Sequence, residues 1–387
     1  MKKFSTTLAL LALASTFAFA QEAILEKRDQ GSPHFNGDGT VTLSLRAPEA
    51  TRVDVIGDCV ENFHAQMTKE GDTWYYTTPV LLPELYNYRF YVNGVETMDP
   101  ANIERSRDVR SFMSTFVVSD AEGDQGYLYA NHLVPHGNMA QVWYDSPTLG
   151  ISRRMTIYTP AGYDKGKKFP VLYLLHGSGG DEEAWPTLGR TQQILDNLIA
   201  LGWAEPMIVV MPNGNASDDA SPLLSGMVSK EEPKVTFEES FIDIIKYVES
   251  HYKVKKGARN TAISGLSMGG YHTYKVSNLH PGRFGYIGLF SAAISMDFEN
   301  KTPMQEQIAN DATVSKQVAD VFAAHPQLYW IAIGRDDFDF LMNQNTSYRA
   351  YLDSHQFPYE YYESDGGHSW RNWRIYLSKF VPRLFKD

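Results

Sequence analysis

Along this 387-residue chain the rhythm of apolar and polar positions changes once. Over residues 38–118 the apolar residues fall in short runs broken by turn residues: "TVTLSLRAP", "RVDVIGD", "TWYYTTP", "YNYRFYV" and "STFVV". Alternation in "VTLSLRA" is the period-2 pattern of a half-buried strand. The dipeptide Asn93-Gly94 in "RFYVNGVETMDP" predicts an antiparallel hairpin closed by a type I′ turn. Together these segments predict a small immunoglobulin-like β-sandwich over residues 21–120. The polar, acidic stretch that follows, "SDAEGDQG", reads as a linker, placed over 121–130.

From about residue 130 strands and helices alternate. "FPVLYLLHG", "PMIVVMPNG", "TAISGLS", "FGYIGLFSA" and "LYWIAIG" are near-continuous apolar runs, as parallel strands covered on both faces require. In 237–252 Phe237, Phe241, Ile244, Val248 and Tyr252 form one apolar stripe at helical spacing. Residues 131–387 are therefore expected to form an α/β domain, doubly wound around a mostly parallel sheet. The region 215–236, "NASDDASPLLSGMVSKEEPKVT", has little periodicity and is long for a connection, which suits the rim of a site.

The first residues, "MKKFSTTLALLALASTFAFA", carry two lysines, an apolar run and Ala18-Phe19-Ala20, the pattern of a signal peptide over 1–20. The expected product is periplasmic or secreted and starts at Gln21. No later apolar run is long enough to span a bilayer, so no membrane anchor is expected. The formal charge is −11, and losing Lys2 and Lys3 takes it to −11 − 2 = −13. Such a chain is a poor partner for nucleic acid or an anionic membrane, and a neutral or weakly charged substrate fits it better. The single cysteine, Cys59, is expected to be a buried structural thiol.

Ligands in open α/β sheets bind beyond the carboxyl ends of the strands. At one such end "TAISGLSMGGYHTY" puts Ser267 between Gly265 and Gly269, with a strand before it and a helix after it. That is the context of a nucleophile elbow. A serine hydroxyl needs a base, and of 11 histidines His368 has the expected place: after strand "YEYYES", in the loop "DGGHSW", before the last helix. His272 and His280 lie in or at the end of the helix after Ser267, and His34, His64 and His132 lie away from strand ends. The acid that orients the imidazole should fall between serine and histidine in the chain. "LYWIAIG" runs into "RDDFDF", which offers Asp336, Asp337 and Asp339, and spacing does not separate them. "LLHGSGGDEEAW" can aim backbone N–H groups at a substrate oxygen, with Ser178 and Met268 as the two oxyanion donors and His176 as part of the turn. It lacks the Lys and Ser/Thr that end a phosphate loop. No H-E-x-x-H, paired cysteines or G-x-G-x-x-G after a strand occurs, so neither metal nor cofactor is implied.

With these stretches on view, residues 130–387 resemble carbohydrate esterase family 1, the esterase-D-like branch of the α/β hydrolases that contains feruloyl and acetylxylan esterases. The resemblance is carried by "FPVLYLLHGSGGDEEAW", "DNLIALGWAEPMIVVMPNG", "TAISGLSMGGYHTYKVSNLHPGRFGYIGLFSAA", "WIAIGRDDF" and "GGHSWRNWRIYL". It implies a strand-end G-x-x-D for the acid, which falls on Gly334-Arg335-Asp336-Asp337 and selects Asp337, with Asp336 in reserve. It also implies a secreted serine esterase acting on feruloylated or acetylated xylan, ferulate being the expected acyl group. Trp185, Phe338 and Trp370 are the expected aromatic contacts to substrate. The N-terminal part resembles early-set modules related to family-48 carbohydrate-binding modules, for which Trp74, Tyr86, Tyr88 and Tyr91 are the available aromatics. Alternation places Tyr86 and Tyr88 on one face and Tyr91 on the other. The rival readings are an acetylxylan esterase, an enterochelin-type siderophore esterase and, outside enzymes, a glycan-binding protein with an inert hydrolase domain.

Overall fold

The computed structural model describes residues 31–109, 111–221, 234–299 and 302–386. The signal peptide expected over 1–20 and residues 222–233 of the expected rim loop lie outside the described residues. The chain divides into two compact units. One runs through Val80 and takes up Tyr88–Ile103; the other consists of Leu81–Asn87 with Glu104–Asp387.

The first unit is antiparallel β. Val41–Arg46 pairs with Thr73–Thr77, which also pairs with Thr68–Glu70. Val53–Gly57 pairs with His64–Gln66 and with Tyr88–Val92. The Asn93-Gly94 turn returns the chain to Val95–Thr97, with φ of 49° and 87° at its two residues, both positive as a type I′ turn demands. Asn93 Oδ1 also accepts from the Thr51 and Arg52 N–H groups, which ties the turn to a neighbouring loop. Cys59 is buried, and desolvation pushes its thiol up to about 12, so it stays protonated. Of the four aromatics named for the N-terminal part, Trp74 and Tyr88 are buried in this unit, Tyr86 is buried in the second unit and Tyr91 is half-buried; Tyr88 donates to Asp99. Among the described residues of this unit Phe35, Phe63 and Tyr75 are exposed.

The second unit is built on an eight-stranded sheet. Its strands are β1 Asn138–Ser146, β2 Ile151–Thr159, β3 Val171–Leu175, β4 Ile208–Pro212, β5 Thr261–Leu266, β6 Tyr286–Phe290, β7 Leu328–Gly334 and β8 Glu360–Ser364. They lie in the order β1-β2-β4-β3-β5-β6-β7-β8, with β2 antiparallel to both of its neighbours, β1 and β4, and every other pair parallel. The main helices are α1 Thr191–Ala200, α2 Phe237–His251, α3 Met268–Leu279, α4 Met304–Asn310, α5 Ala312–Ala323, α6 Asp339–Ser354 and α7 Trp370–Phe380.

Period 2 divides each central strand between two cores. In β3, Val171, Tyr173 and Leu175 join Phe237, Phe241 and Ile244 of α2 in one core, while Leu172 and Leu174 join Leu195 and Leu198 of α1 and Tyr376 and Leu377 of α7 in the other. Each such side chain fully buried is worth about 2 kcal/mol, which is why continuous apolar runs specify two-sided burial. Helix α2 begins with a capping box, in which the Thr236 hydroxyl and Glu239 carboxylate accept from each other's backbone N–H. Residues 121–130, expected as a linker, hold the short helix Gln125–Tyr129, which buries Leu128 and Tyr129. Asn197 of α1 fastens that segment by donating to the carbonyls of Tyr127, Leu128 and Ala130.

Candidate active site

Ser267 sits between β5 and α3 with φ 54° and ψ −115°. Positive φ is unfavourable for a residue with a Cβ and persists only where surroundings impose it. Here Ser267 N–H donates to Phe290 of β6, and its carbonyl accepts from Ala293 and Tyr271. The flanking glycines are a steric requirement. A Cβ on Gly265 would strike the backbone of Gly269, one on Gly269 would strike the carbonyls of Leu175 and His176, and one on Gly270 would strike Ala292. The helix therefore packs against the strand ends at backbone distance, with Ser267 at the crest of the turn.

Two further strand ends meet it. His368, after β8, places Nε2 3.0 Å from Ser267 Oγ and Nδ1 2.8 Å from Asp337 Oδ1. Asp337, after β7, is buried, and its Oδ1 also accepts from Phe338 N–H at 2.8 Å. Close approach again demands glycine: a Cβ on Gly367 would lie 2.5 Å from the Asp336 carbonyl. Of the three aspartates left open by spacing, the structure brings Asp337 to the imidazole and leaves Asp336 and Asp339 exposed.

The loop after β3 closes over the same point. A Cβ on Gly177 would lie 2.5 Å from Leu266 Cδ1 and 3.2 Å from Ser267 Cβ, so the Gly177-Ser178 backbone runs beside the serine. Met268 opens α3, so its N–H is among those with no partner inside the helix. His176 braces this loop: Nδ1–H donates to the Gly177 carbonyl at 2.8 Å and Nε2 accepts from Gly214 N–H at 2.7 Å. Both ring nitrogens are thus used by the neutral form. Beyond it Asp181 takes hydrogen bonds from Arg107 at 2.7 Å and the Ser221 hydroxyl at 2.6 Å, and Glu182 takes them from Arg154, Asn213 and Ser221 N–H. Burial pushes Glu182 up, against these bonds. The described start of the expected rim loop is held by the buried Arg153, whose guanidinium donates to the carbonyls of Asn213, Asn215 and Asp218.

His176 makes stability depend on pH. Desolvation holds its pKa at about 4, against an ordinary 6.5. Between those values the unfolded chain binds a proton that the fold refuses, so stability falls as pH falls through this window, by up to about 3 kcal/mol. A His176→Gln variant lacks this loss. The gap in unfolding free energy between wild type and variant should therefore narrow from pH 7 to pH 4, measured by urea denaturation, and a constant gap would contradict the assignment.

Aromatic rings flank His368. Trp373 meets it edge-on with centroids 4.9 Å apart and is buried, while Phe338 lies 4.8 Å away and is 53% exposed. Trp370 packs between Trp373 and Trp185 at 5.2 and 5.3 Å. Trp185, expected as a substrate contact, is fully buried with Nε1–H on the Leu175 carbonyl, and supports Trp370 from beneath. His272 is also structural, paired with the buried Glu238 at 2.8 Å. Among the described residues no cluster of His, Cys, Asp or Glu could hold a metal ion. No described helix is long and apolar enough to cross a membrane. Sequence reasoning passed over Phe298 and Phe340: half-buried Phe340 stacks on Phe338 and meets exposed Phe298 edge-on; for Phe340 the repeat of Phe and Asp in "DDFDF" was the available signal.

A sheet of this order, with serine at a strained strand-helix turn and histidine and aspartate on later strand ends, defines an α/β-hydrolase-like protein. The chain belongs to the Esterase family, which matches residues 146–384, and is a carboxylic ester hydrolase. It is 30% identical over 365 residues to an endo-1,4-β-xylanase/feruloyl esterase of Xylanibacter ruminicola, covering 92% of this chain and 46% of that protein. The chain thus spans less than half the length of that relative. It is 26% identical to an acetyl esterase of Caldicellulosiruptor saccharolyticus, over 56% of this chain and 83% of that one. Among solved structures, a ferulic acid esterase matches with TM-score 0.53 and 27% identity, over 64% of this chain and 97% of the other.

Proposed function

We propose that the chain is an exported feruloyl esterase that releases hydroxycinnamates from xylan side chains through Ser267, His368 and Asp337. The observation that carries this reading is the continuous pair of hydrogen bonds, 3.0 and 2.8 Å, from Ser267 through His368 to Asp337. In it, Ser267 Oγ attacks the ester carbonyl as His368 Nε2 takes its proton. The carbonyl oxygen becomes an oxyanion that rests on the N–H groups of Ser178 and Met268. His368 returns the proton to the sugar oxygen as the C–O bond breaks, leaving an acyl-enzyme. It then draws a proton from water as the water attacks the acyl carbon, and returns that proton to Ser267 Oγ as the bond between Oγ and the acyl carbon breaks, which frees the acid and restores the serine. Asp337 holds Nδ1–H and stabilises the imidazolium.

Hydroxycinnamate as the acyl group is supported by the names of the xylanase/feruloyl esterase and the ferulic acid esterase. Export rests on the leader pattern over residues 1–20. In the same reading the N-terminal unit is an immunoglobulin-like module related to carbohydrate-binding modules. The test is kcat/KM for methyl ferulate against that for acetylated xylan. A clear preference for methyl ferulate is expected; activity on acetylated xylan alone would move the enzyme to the acetylxylan esterases.

A further inference from the structure

Beside His368 the second unit carries a run of aromatic rings whose ends, Phe338 and Phe298, are exposed and whose middle ring, Phe340, is half-buried. Phe338 lies 4.8 Å from the imidazole, Phe340 stacks on Phe338 at 5.8 Å and 12°, and Phe298 meets Phe340 edge-on at 5.3 Å. Phe298 and Met296 are 55% and 47% exposed, at the far end of the run. Large rings held in water are costly, and a contiguous exposed patch of them marks a binding surface.

The run is held rigidly. Phe338 and Phe340 stand at the start of α6, and Phe298 stands in the loop after β6, so two separate segments must be kept in register. Gln344 of α6, itself buried, does this with its whole amide. Its Oε1 accepts from the N–H groups of Ile294 and Ser295, and its Nε2 donates to the carbonyls of Ser295 and Asp297. Asn345 adds a bond to the Ala292 carbonyl. A side-chain amide used in this way is a positioning device, and what it positions is the aromatic run.

The chemistry of the site says which half of an ester meets this surface. The imidazole that accepts the serine proton must return it to the departing oxygen, so the alcohol half lies against His368. The oxyanion lies at the Gly177-Ser178 side. Of the rings touching His368, Trp373 is buried and Phe338 is exposed. The run from Phe338 to Phe298 therefore leaves the site on the alcohol side. Exposed carboxylates adjoin its rings in the chain, Asp297 and Glu299 on either side of Phe298 and Asp339 between Phe338 and Phe340. Flat apolar faces edged by hydrogen-bond acceptors match a neutral sugar, whose ring faces are C–H and whose rim is hydroxyl. A lipid chain would gain nothing from the carboxylates, and an anionic ligand would be repelled by them.

We propose that the Phe338–Phe340–Phe298 run is a stacking platform for the glycan on the alcohol side of the ester, making the enzyme select polymer-borne esters over simple alkyl esters. This rests on the triad reading above. The test compares kcat/KM for a feruloylated arabinoxylan oligosaccharide with kcat/KM for methyl ferulate in wild type, Phe298→Ala and Phe298→Trp. Phe298→Ala should lower the oligosaccharide-to-methyl-ester ratio about tenfold, mainly through KM, an effect of the size expected for one aromatic contact. Phe298→Trp should restore it. An unchanged ratio in Phe298→Ala, or equal loss on both substrates, would overturn the platform. So would a wild-type dimer that Phe298→Ala converts to monomer, since the patch would then pair two copies. If wild type fails on methyl ferulate, the hydroxycinnamate reading falls by itself. The platform is then tested by the same ratio with acetylated xylo-oligosaccharide and 4-nitrophenyl acetate.

Discussion

Ser267→Ala should lower kcat on every ester the enzyme turns over by at least ~10⁴-fold, because the members of a triad act as a unit and loss of the nucleophile removes nearly all they provide together. The substitution deletes one oxygen. It leaves the strained turn with a Cβ as before, keeps Ser267 N–H to Phe290 as a backbone bond, and leaves the glycines around it untouched. The fold should therefore survive, which circular dichroism and an unchanged urea midpoint would show. Residual rate over water is expected from the loop after β3 and the N-terminus of α3, which can still polarise a carbonyl. Release of ferulate from methyl ferulate, followed chromatographically, measures the loss. Wild-type turnover in a folded variant would remove Ser267 from the mechanism.

Asp337→Asn should cost about 10³- to 10⁴-fold in kcat. Asp337 Oδ1 serves two donors, His368 Nδ1–H and Phe338 N–H, both at 2.8 Å. An asparagine oxygen can take that place, so the geometry is kept while the charge is lost. What disappears is the electrostatic stabilisation of the imidazolium, at a buried position where water compensates poorly. The amide nitrogen would occupy the position of Oδ2, which is buried and has no partner among the described residues. Some loss of stability should accompany the loss of rate. Asp336→Asn is the control: that side chain is exposed one residue away, and kcat should stay near the wild-type value. Equal losses in the two variants would mean that the cluster acts through its summed charge, and the assignment of Asp337 would fall.

The parts of the fold that were legible are those whose burial is written into local pattern. Strands β3 to β7 appear in the sequence as unbroken apolar runs because both of their faces are covered, and the stripe in α2 appears because one face is. Strands β1 and β2 were not anticipated. Strand β1 is largely exposed at the sheet edge, so its residues alternate weakly and form no apolar run. The helix Gln125–Tyr129 was read as linker for a related reason. The stretch "SDAEGDQG" that leads into it is polar, as a linker is, and the bonds from Asn197 that hold the helix come from far along the chain. Alternation puts Tyr86 and Tyr88 on one face, and the structure buries both, whereas burial of Trp74 depends on neighbours distant in sequence such as Ala47, whose carbonyl takes its Nε1–H.

The same division runs through the site. Strand ends, glycine spacing and chain order are local features, and they point to Ser267, His368 and the aspartate cluster, which the structure brings within hydrogen-bond reach, and to the loop "HGSGG", which runs beside the serine. Choosing among Asp336, Asp337 and Asp339 from residues alone was beyond them, because three carboxylates within four positions of one turn differ only in the direction each faces. Parallel pairing of β7 with β8 puts the loops after them side by side, where Asp337 faces His368 and its neighbours Asp336 and Phe338 face water. The aromatic run had the same origin. Phe298 and Phe340 lie 42 positions apart and become one surface only where Gln344 pins the loop after β6 to α6. Local pattern could specify which residues are buried and which chemistry each strand end carries, since both follow from side-chain type and period. Which groups stand within hydrogen-bond reach was decided by backbone packing between segments far apart in the chain, where glycine contacts and the sheet order set distances to a few tenths of an ångström.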